Sequence, residues 1–339
     1  MTFLAGDLGG TKTLLGIYEG NQKLNKLYQQ RYISKEWSSI KPMLLNFLKN
    51  LPSDIEHPKS GCLAVAGRVI NGKAKITNLP WEINEEELCS STGIEKVELI
   101  NDFCVLIYGL NFLSKEQYIE IRNNNNKKLA NGVVAIIGAG TGLGIAKGIH
   151  IPNGIISLAS EGGHREFAAR SEEEWRLKNW LKSELGVQRL SVERIVSGTG
   201  LGHISRWRLN QSDVKDHPLK EISNQWYFSN YQSHDLPALT SKASKDGDPL
   251  MNEVMDMWLS AYGSVAGDLA LEELCHSGLW IAGGTASKNL EGIRSSSFTN
   301  AMTNKGRFCS FFENLPVNVL TDPEAGLFSA ACRARMIIK

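Results

Sequence analysis

The sequence lacks any run of about 18 apolar residues, the length a membrane helix needs, because glycines break its longest apolar stretch. No membrane partner is therefore expected. It also lacks a dominant charge: 37 basic and 36 acidic residues leave a formal net charge of +1, which gives no reason to expect nucleic acid. Its six cysteines (Cys62, Cys89, Cys104, Cys275, Cys309, Cys332) include no C-x-x-C pair. That argues against a zinc knuckle or a disulfide framework and for reduced thiols in a cytoplasmic protein. There is no short-period repeat and no coiled-coil pattern. A strand opens at about residue 3, so neither a secretory leader nor a helix-turn-helix module is expected. Two familiar phosphate loops are missing as well. Thr11 stands between Gly10 and Lys12, which rules out the Gly-Lys pair of a Walker A loop, and no G-x-G-x-x-G opens a helix.

What is present is a soluble composition, 42% apolar and 22% charged, in a chain long enough at 339 residues for two domains. Near its start, Ala5-Gly6-Asp7-Leu8-Gly9-Gly10-Thr11-Lys12-Thr13 lies between two apolar runs. It reads as a hairpin with a single carboxylate at its bend. Glycines there can take positive φ and let the backbone approach a ligand closely. Backbone N–H groups converging on such a bend make a phosphate site. A carboxylate beside phosphates is reasonable with a Mg²⁺ between them, held through water. A turn in which the glycines serve geometry alone is the alternative. The pattern recurs: the apolar run 133–137 enters Gly138-Ala139-Gly140-Thr141-Gly142-Leu143-Gly144 and leaves as a strand from Ile145. Two such hairpins suggest a duplicated unit, facing itself across a cleft with a polyphosphate between.

Along the chain, 21–30 reads as a polar turn leading to a strand at 31–33. A helix is expected over 36–51, with Trp37 on its apolar face and Pro52 as its stop. A buried strand follows at 61–67, a two-residue hairpin turn at Asn71-Gly72, and a short helix over 85–90 capped by Asn84. A strand over 97–102 ends in Asn101 and Asp102, with a helix expected over 103–113. Ligands of α/β sheets bind at the carboxyl ends of strands, which singles out both residues, although either could simply cap the helix. The segment 123–128 reads as a polar surface loop. Glu161 and His164 flank two glycines and can point at one small ligand, or mark a surface turn. A helix over 171–185 carries a Ser171/Glu174 capping box, with Trp175 and Trp180 among its apolar positions. Ser191 is expected to cap a helix that breaks at Gly198, with Glu193 and Arg194 in it as an exposed pair or as ligands. The span 203–249 is polar, with short helices, and Asp248-Pro249 opens a long one. A third strand, 279–282, runs into a Gly283-Gly284-Thr285 turn that could face the adenosine end of a nucleotide. A strand over 317–320 and a closing helix over 323–336 complete the chain.

Five motifs now stand in order: Gly6-Asp7-Leu8-Gly9-Gly10-Thr11, Leu99-Ile100-Asn101-Asp102-Phe103, Gly138-Ala139-Gly140-Thr141-Gly142-Leu143-Gly144, Glu161-Gly162-Gly163-His164 and Ile281-Ala282-Gly283-Gly284. Together they span nearly the whole chain, and the set resembles the bacterial-type glucokinase family of the actin, hexokinase and Hsp70-like ATPase superfamily. Lys12 stands where many members carry Asn, and the zinc-binding cysteine cluster of the neighbouring ROK sugar kinases is missing. The resemblance implies a two-domain actin/hexokinase-like (ribonuclease H-like) α/β fold. Its small domain would be 1–105 plus 322–339 and its large domain 106–321, with the active site in the cleft between them. It implies transfer of the ATP γ-phosphoryl to the 6-hydroxyl of glucose. Asn101, Asp102, Glu161, His164 and Glu193 would bind the sugar hydroxyls, with Asp102 as general base. Gly6, Asp7, Gly9, Gly10, Thr11, Lys12, Gly138, Gly140, Thr141, Gly142, Gly283 and Gly284 would hold ATP, and Asp7 would hold Mg²⁺ through water. A homodimer is also implied. A kinase for fructose or mannose, a sugar-sensing protein of the same fold, and an ATPase without a sugar pocket are the competing expectations.

Overall fold

The computed structural model describes residues 1–21, 23–122, 132–152 and 154–338. The asparagine-rich segment 123–128 lies outside them. Contacts divide the chain into two units: Met1–Tyr118, Ala146–Ala159 and Asp322–Lys339 form one, and Ile119–Ile145 with Ser160–Thr321 the other. Among the described residues no helix is long and apolar enough to cross a membrane.

In the first unit, β1 (Thr2–Leu8) and β2 (Lys12–Glu19) form an antiparallel hairpin, with β3 (Asn25–Ile33) antiparallel beside β2. Strands β4 (Ser60–Val65) and β5 (Lys96–Asn101) add in parallel, giving the order β3–β2–β1–β4–β5. The central strands are buried on both faces, so their apolar residues run almost without break. Leu4, Leu8, Leu63 and Val65 cluster with Ile40, Met43, Leu44 and Phe47 of helix Ile40–Lys49. The alternate set, Phe3, Ala5, Cys62 and Ala64, is left for the opposite face. The C-terminal helix Ala325–Met336 packs on β1 and β4. Its Arg333 makes two bonds to Glu98 of β5, at 2.7 and 2.9 Å, and Ser60 Oγ donates to Ala334 O at 2.6 Å.

Several expectations hold here. Asn71 and Gly72 take φ of 50° and 70°, both left-handed, as a two-residue turn between Val69–Ile70 and Lys73–Lys75 requires. Asn84 caps helix Glu85–Thr92 by accepting from Glu86 N. Others are corrected. Residues 25–30 belong to edge strand β3 and not to a turn. The helix expected over 36–51 is only Ile40–Lys49. Trp37 precedes it in extended backbone, its carbonyl accepting from Trp81 Nε1 at 3.2 Å. The helix expected over 103–113 shrinks to Leu106–Gly109, and residues 102–105 before it form a turn in which Asn101 Oδ1 accepts from Phe103 N and Cys104 N.

In the second unit, β6 (Val133–Ala139) is followed by the start of β7 (Leu143–Ile151), whose residues from Ala146 on belong to the first unit. Strands β8 (Leu279–Ala282) and β9 (Val317–Leu320) lie parallel to β6 in the order β7–β6–β8–β9. That is the order β2–β1–β4–β5 again: a strand, its hairpin return, and two parallel followers. The long helix Pro249–Glu273 begins as expected, Asp248 accepting from Leu250 N and Met251 N at 2.9 and 3.0 Å. Helix Ser296–Thr303 crosses it at backbone distance, where a Cβ on Gly263 would fall 2.1 Å from Phe298 O.

Several readings change in this unit. Ser191 precedes only a 3₁₀ turn, Val192–Arg194, and makes no side-chain cap. The helix starts at the glycines instead of breaking there: Gly198–Leu209 is capped by Ser197 Oγ, which accepts from Gly200 N at 2.9 Å. Ser171 caps helix Glu172–Leu185, but Glu174 reaches back to Arg170 N, and Trp175 lies in solvent. Finally, Gly283-Gly284-Thr285 opens a short helix, Gly284–Lys288, in place of a turn.

Candidate active site

The first cluster lies at the β1–β2 bend. Gly9 N donates to Lys12 O at 3.0 Å, which closes the bend. Ser34 pins it from below: its Oγ donates to Gly9 O at 2.7 Å, its N donates to Thr11 O at 3.0 Å, and its Oγ stands 3.0 Å from Thr13 Oγ1. Neither Gly9 nor Gly10 has positive φ, so the expected left-handed backbone is absent. Space explains Gly10 instead, since a Cβ there would lie 2.9 Å from Asn78 Cβ. Gly6 is buried, and a Cβ on it would meet Leu63 Cδ2 at 2.5 Å, which makes it a packing glycine. Asp7 lies over Gly326 at the start of the C-terminal helix, where a Cβ on that glycine would stand 3.4 Å from Asp7 Oδ2. Burial pushes the Asp7 carboxyl up, and Lys12 offsets part of that.

Asn101 and Asp102 divide the work expected of them. Asn101 Oδ1 accepts from Phe103 N and Cys104 N at 3.0 and 3.2 Å, so the amide holds the turn 102–105, while the helix beyond it has Val105 at its N-cap and no side-chain cap. Asn101 Nδ2 donates to Gly67 O and to Asp102 Oδ1, at 3.2 and 3.0 Å. The amide thereby aims the carboxylate, while Asp102 N donates to Val65 O at 2.9 Å. Part of the Asp102 side chain reaches solvent. Even so, desolvation by the atoms packed round its carboxyl, and then the charge of Asp7, push it up to about 6. The charge of Asp7 beside Asp102, offset at Asp7 only in part by Lys12, makes a region of incompletely compensated negative charge.

The second cluster surrounds the β6–β7 bend. Gly198 N donates to Gly140 O at 2.7 Å, Thr199 Oγ1 to Thr141 O at 3.0 Å, and Leu143 N to Glu193 Oε2 at 2.9 Å. None of Gly138, Gly140 and Gly142 has positive φ. Gly138 is buried in β6, whereas a Cβ on Gly140 or Gly284 would meet nothing within 4 Å, so those two backbones are open. Gly283 packs on the end of β6, where a Cβ would fall 2.4 Å from Ala139 O. Glu161 and His164 come together, Oε2 to Nε2 at 3.8 Å, both exposed. The turn that carries them packs on the same bend, since a Cβ on Gly163 would lie 2.4 Å from Leu143 O. Behind the bend, Tyr262 OH accepts from Ala139 N at 3.3 Å and Trp258 Nε1 donates to Ser197 O at 3.1 Å.

Ser34 and Asn78 are the residues beside these bends that the sequence did not announce. Their only signal was polarity next to a strand end and in a loop before Pro80. No group of three His, Cys, Asp or Glu side chains gathers as a metal site among the described residues.

A family model described as Glucokinase matches residues 4–337 of this chain. The chain is 38% identical to a glucokinase of Trichormus variabilis, over 98% of this chain and 99% of that one. Among solved structures, a glucokinase from an Antarctic psychrotroph superposes with a TM-score of 0.83 at 24% identity, over 98% of both chains. A ROK family glucokinase from Streptomyces griseus, solved with glucose and AMPPNP, superposes with a TM-score of 0.61 at 17% identity over 99% of both. These two likenesses concern the fold.

Proposed function

The chain belongs to the glucokinase family, and from that premise we propose that it transfers the γ-phosphoryl group of ATP to the 6-hydroxyl of glucose, with Asp102 as the base. The observation that carries the assignment of Asp102 is the hold on its carboxylate. Asn101 holds the turn 102–105 and donates a hydrogen bond to Asp102 Oδ1 at 3.0 Å, so the carboxylate is oriented by its neighbour's amide. Lifted to about 6, the group is ionised at neutral pH yet more basic than an ordinary carboxylate, as general-base help requires.

Phosphoryl transfer asks chiefly for positioning and for charge neutralisation. In this reading Asn101, Asp102, Glu161, His164 and Glu193 hydrogen-bond the sugar hydroxyls. Asp102 accepts the proton of the attacking hydroxyl as the oxygen bonds to phosphorus. Backbone N–H groups of the two bends, with Thr11, Lys12 and Thr141, hold the phosphates. The open backbones of Gly140 and Gly284 allow the nucleotide to approach. Gly6 and Gly138 serve by packing. Asp7 would hold Mg²⁺ through water; the incompletely compensated charge of Asp7 and Asp102 suits a divalent cation, which when bound neutralises charge on the phosphates. The homodimer and the cytoplasmic location belong to the same reading, and sedimentation of the purified chain tests the first.

The deciding experiment is ADP formation with ATP and Mg²⁺, alone and with glucose, fructose or mannose at equal concentration. Glucose-dependent ADP formation is expected. ADP formation indifferent to every sugar would move the chain to the ATPase reading, and preference for another hexose would change the substrate.

A further inference from the structure

We propose that Glu193 is a positioning residue for the second glycine hairpin: its carboxylate fixes the bend in the form that receives a phosphate, so it governs nucleotide binding as well as sugar binding. This rests on the reading of the chain as an ATP-dependent sugar kinase.

The hairpin is gripped at three successive points by residues 193–199. Glu193 Oε2 accepts from Leu143 N at 2.9 Å, Gly198 N donates to Gly140 O at 2.7 Å, and Thr199 Oγ1 donates to Thr141 O at 3.0 Å. In a trans peptide the carbonyl and the following N–H point in opposite directions. With the Gly140 and Thr141 carbonyls turned to residues 198 and 199, the N–H groups of Thr141 and Gly142 face the other way. Two adjacent donors aimed together form a concavity for an anionic oxygen. Glu193 sets the far edge of that concavity, because Leu143 is the residue that follows the pair.

The fit around the carboxylate is close. A Cβ on Gly142 would fall 2.4 Å from Glu193 Oε2, so any side chain there requires the carboxylate to move. The backbone that carries Glu193 is anchored on both sides. Val192 N donates to Arg165 O at 2.8 Å and Ser197 Oγ donates to Glu193 O at 2.7 Å. The segment that ends in Glu161 and His164 packs on the same Leu143 through Gly163. One carboxylate therefore stands where the phosphate bend and the sugar-binding residues of this unit meet.

The test is binding of AMPPNP with Mg²⁺, in the absence of any sugar, to the parent chain and to four variants whose folding is checked by thermal melting. Glu193→Ala is expected to weaken binding about tenfold, the loss of one charge-assisted hydrogen bond. Gly142→Ala is expected to do the same, by displacing the carboxylate without removing it. Glu193→Gln keeps an acceptor for Leu143 N and is expected to retain most of the affinity. Glu161→Gln, placed for sugar alone, is expected to leave nucleotide affinity unchanged while raising the glucose KM. Parent-like affinity in Glu193→Ala, or in Gly142→Ala should Glu193→Ala fail to fold, would overturn the inference alone. Failure of the parent to bind AMPPNP would overturn the proposed function and this inference with it.

Discussion

At the scale of single residues, the two histidine and aspartate environments make opposite demands on pH. Asp102 is raised to about 6 in the fold, so the unfolded chain gives up this proton first, from about pH 4 upward. From there to about pH 6 the group increasingly favours unfolding, and above that the cost is constant. Asp102→Asn is therefore expected to melt higher than the parent at pH 8, with no such gain at pH 4, and to lose about 10²- to 10⁴-fold in kcat. The acid limb of the parent's rate profile should fall near pH 6; a limb unmoved by the substitution in residual activity would take Asp102 out of the base role. His203 behaves the other way. It is 1% exposed, its Nε2 has no partner, and burial, then the charges of Arg194 and Arg206, push it down to about 3. Its contribution is complete above about pH 6.5 and is lost as pH falls toward 3, by about 1.4 kcal/mol for each pH unit. In urea titrations, His203→Gln should lose less stability than the parent between pH 7 and 5. Equal losses would show that other groups drive the acid limb.

At the scale of elements, what could be read in advance depended on how far a contact reaches along the chain. The caps at Asn84, Ser171 and Asp248 act within three residues, and the Asn71-Gly72 turn is fixed by its own two φ angles. All four were legible. So were both glycine hairpins, since a strand, a small-residue bend and a strand are local patterns. The division between Asn101 as the residue that holds the turn and Asp102 as aimed carboxylate was open in the sequence, because either residue type can bond nearby backbone N–H groups. The clamp from Ser34 to Gly9, 25 positions away, and that from Glu193 to Leu143, 50 positions away, left no local trace. The helix at Gly198 was misread because glycine's low propensity hides a cap and a close approach that only tertiary packing reveals. Ser34 gives the element-scale prediction. Ser34→Ala removes the pin under the first bend and leaves Gly9 O and Thr13 Oγ1 short of a partner, at about 1–3 kcal/mol. The ATP KM should rise while the glucose KM stays near the parent's, as measured by initial rates; equal rises in both would assign Ser34 to general stability only.

At the scale of the whole molecule, the first unit is assembled from three separated pieces of chain. Arg333 on the last helix and Glu98 on β5, 235 positions apart, are joined by two hydrogen bonds, and the guanidinium lies 4.6 Å from the Tyr108 ring. Removing one partner strands the other half-buried charge. Arg333→Ala is expected to lower the urea midpoint, with a loss of about 2 kcal/mol, while Arg333→Met with Glu98→Gln recovers part of it. An unchanged midpoint in the single variant would reduce this pair to a surface contact.

That last helix also dictates an order of events during synthesis. Strands β1 and β4 leave the ribosome early, but the helix that packs on them is translated some 260 residues after β4. Until Ala325–Met336 is translated, one apolar flank of the earliest sheet stays wet, and the growing chain must be kept from sticking to its neighbours. A premature stop anywhere before residue 325 is consequently expected to spoil the amino-terminal third of the protein, Met1–Tyr118, along with the part it deletes.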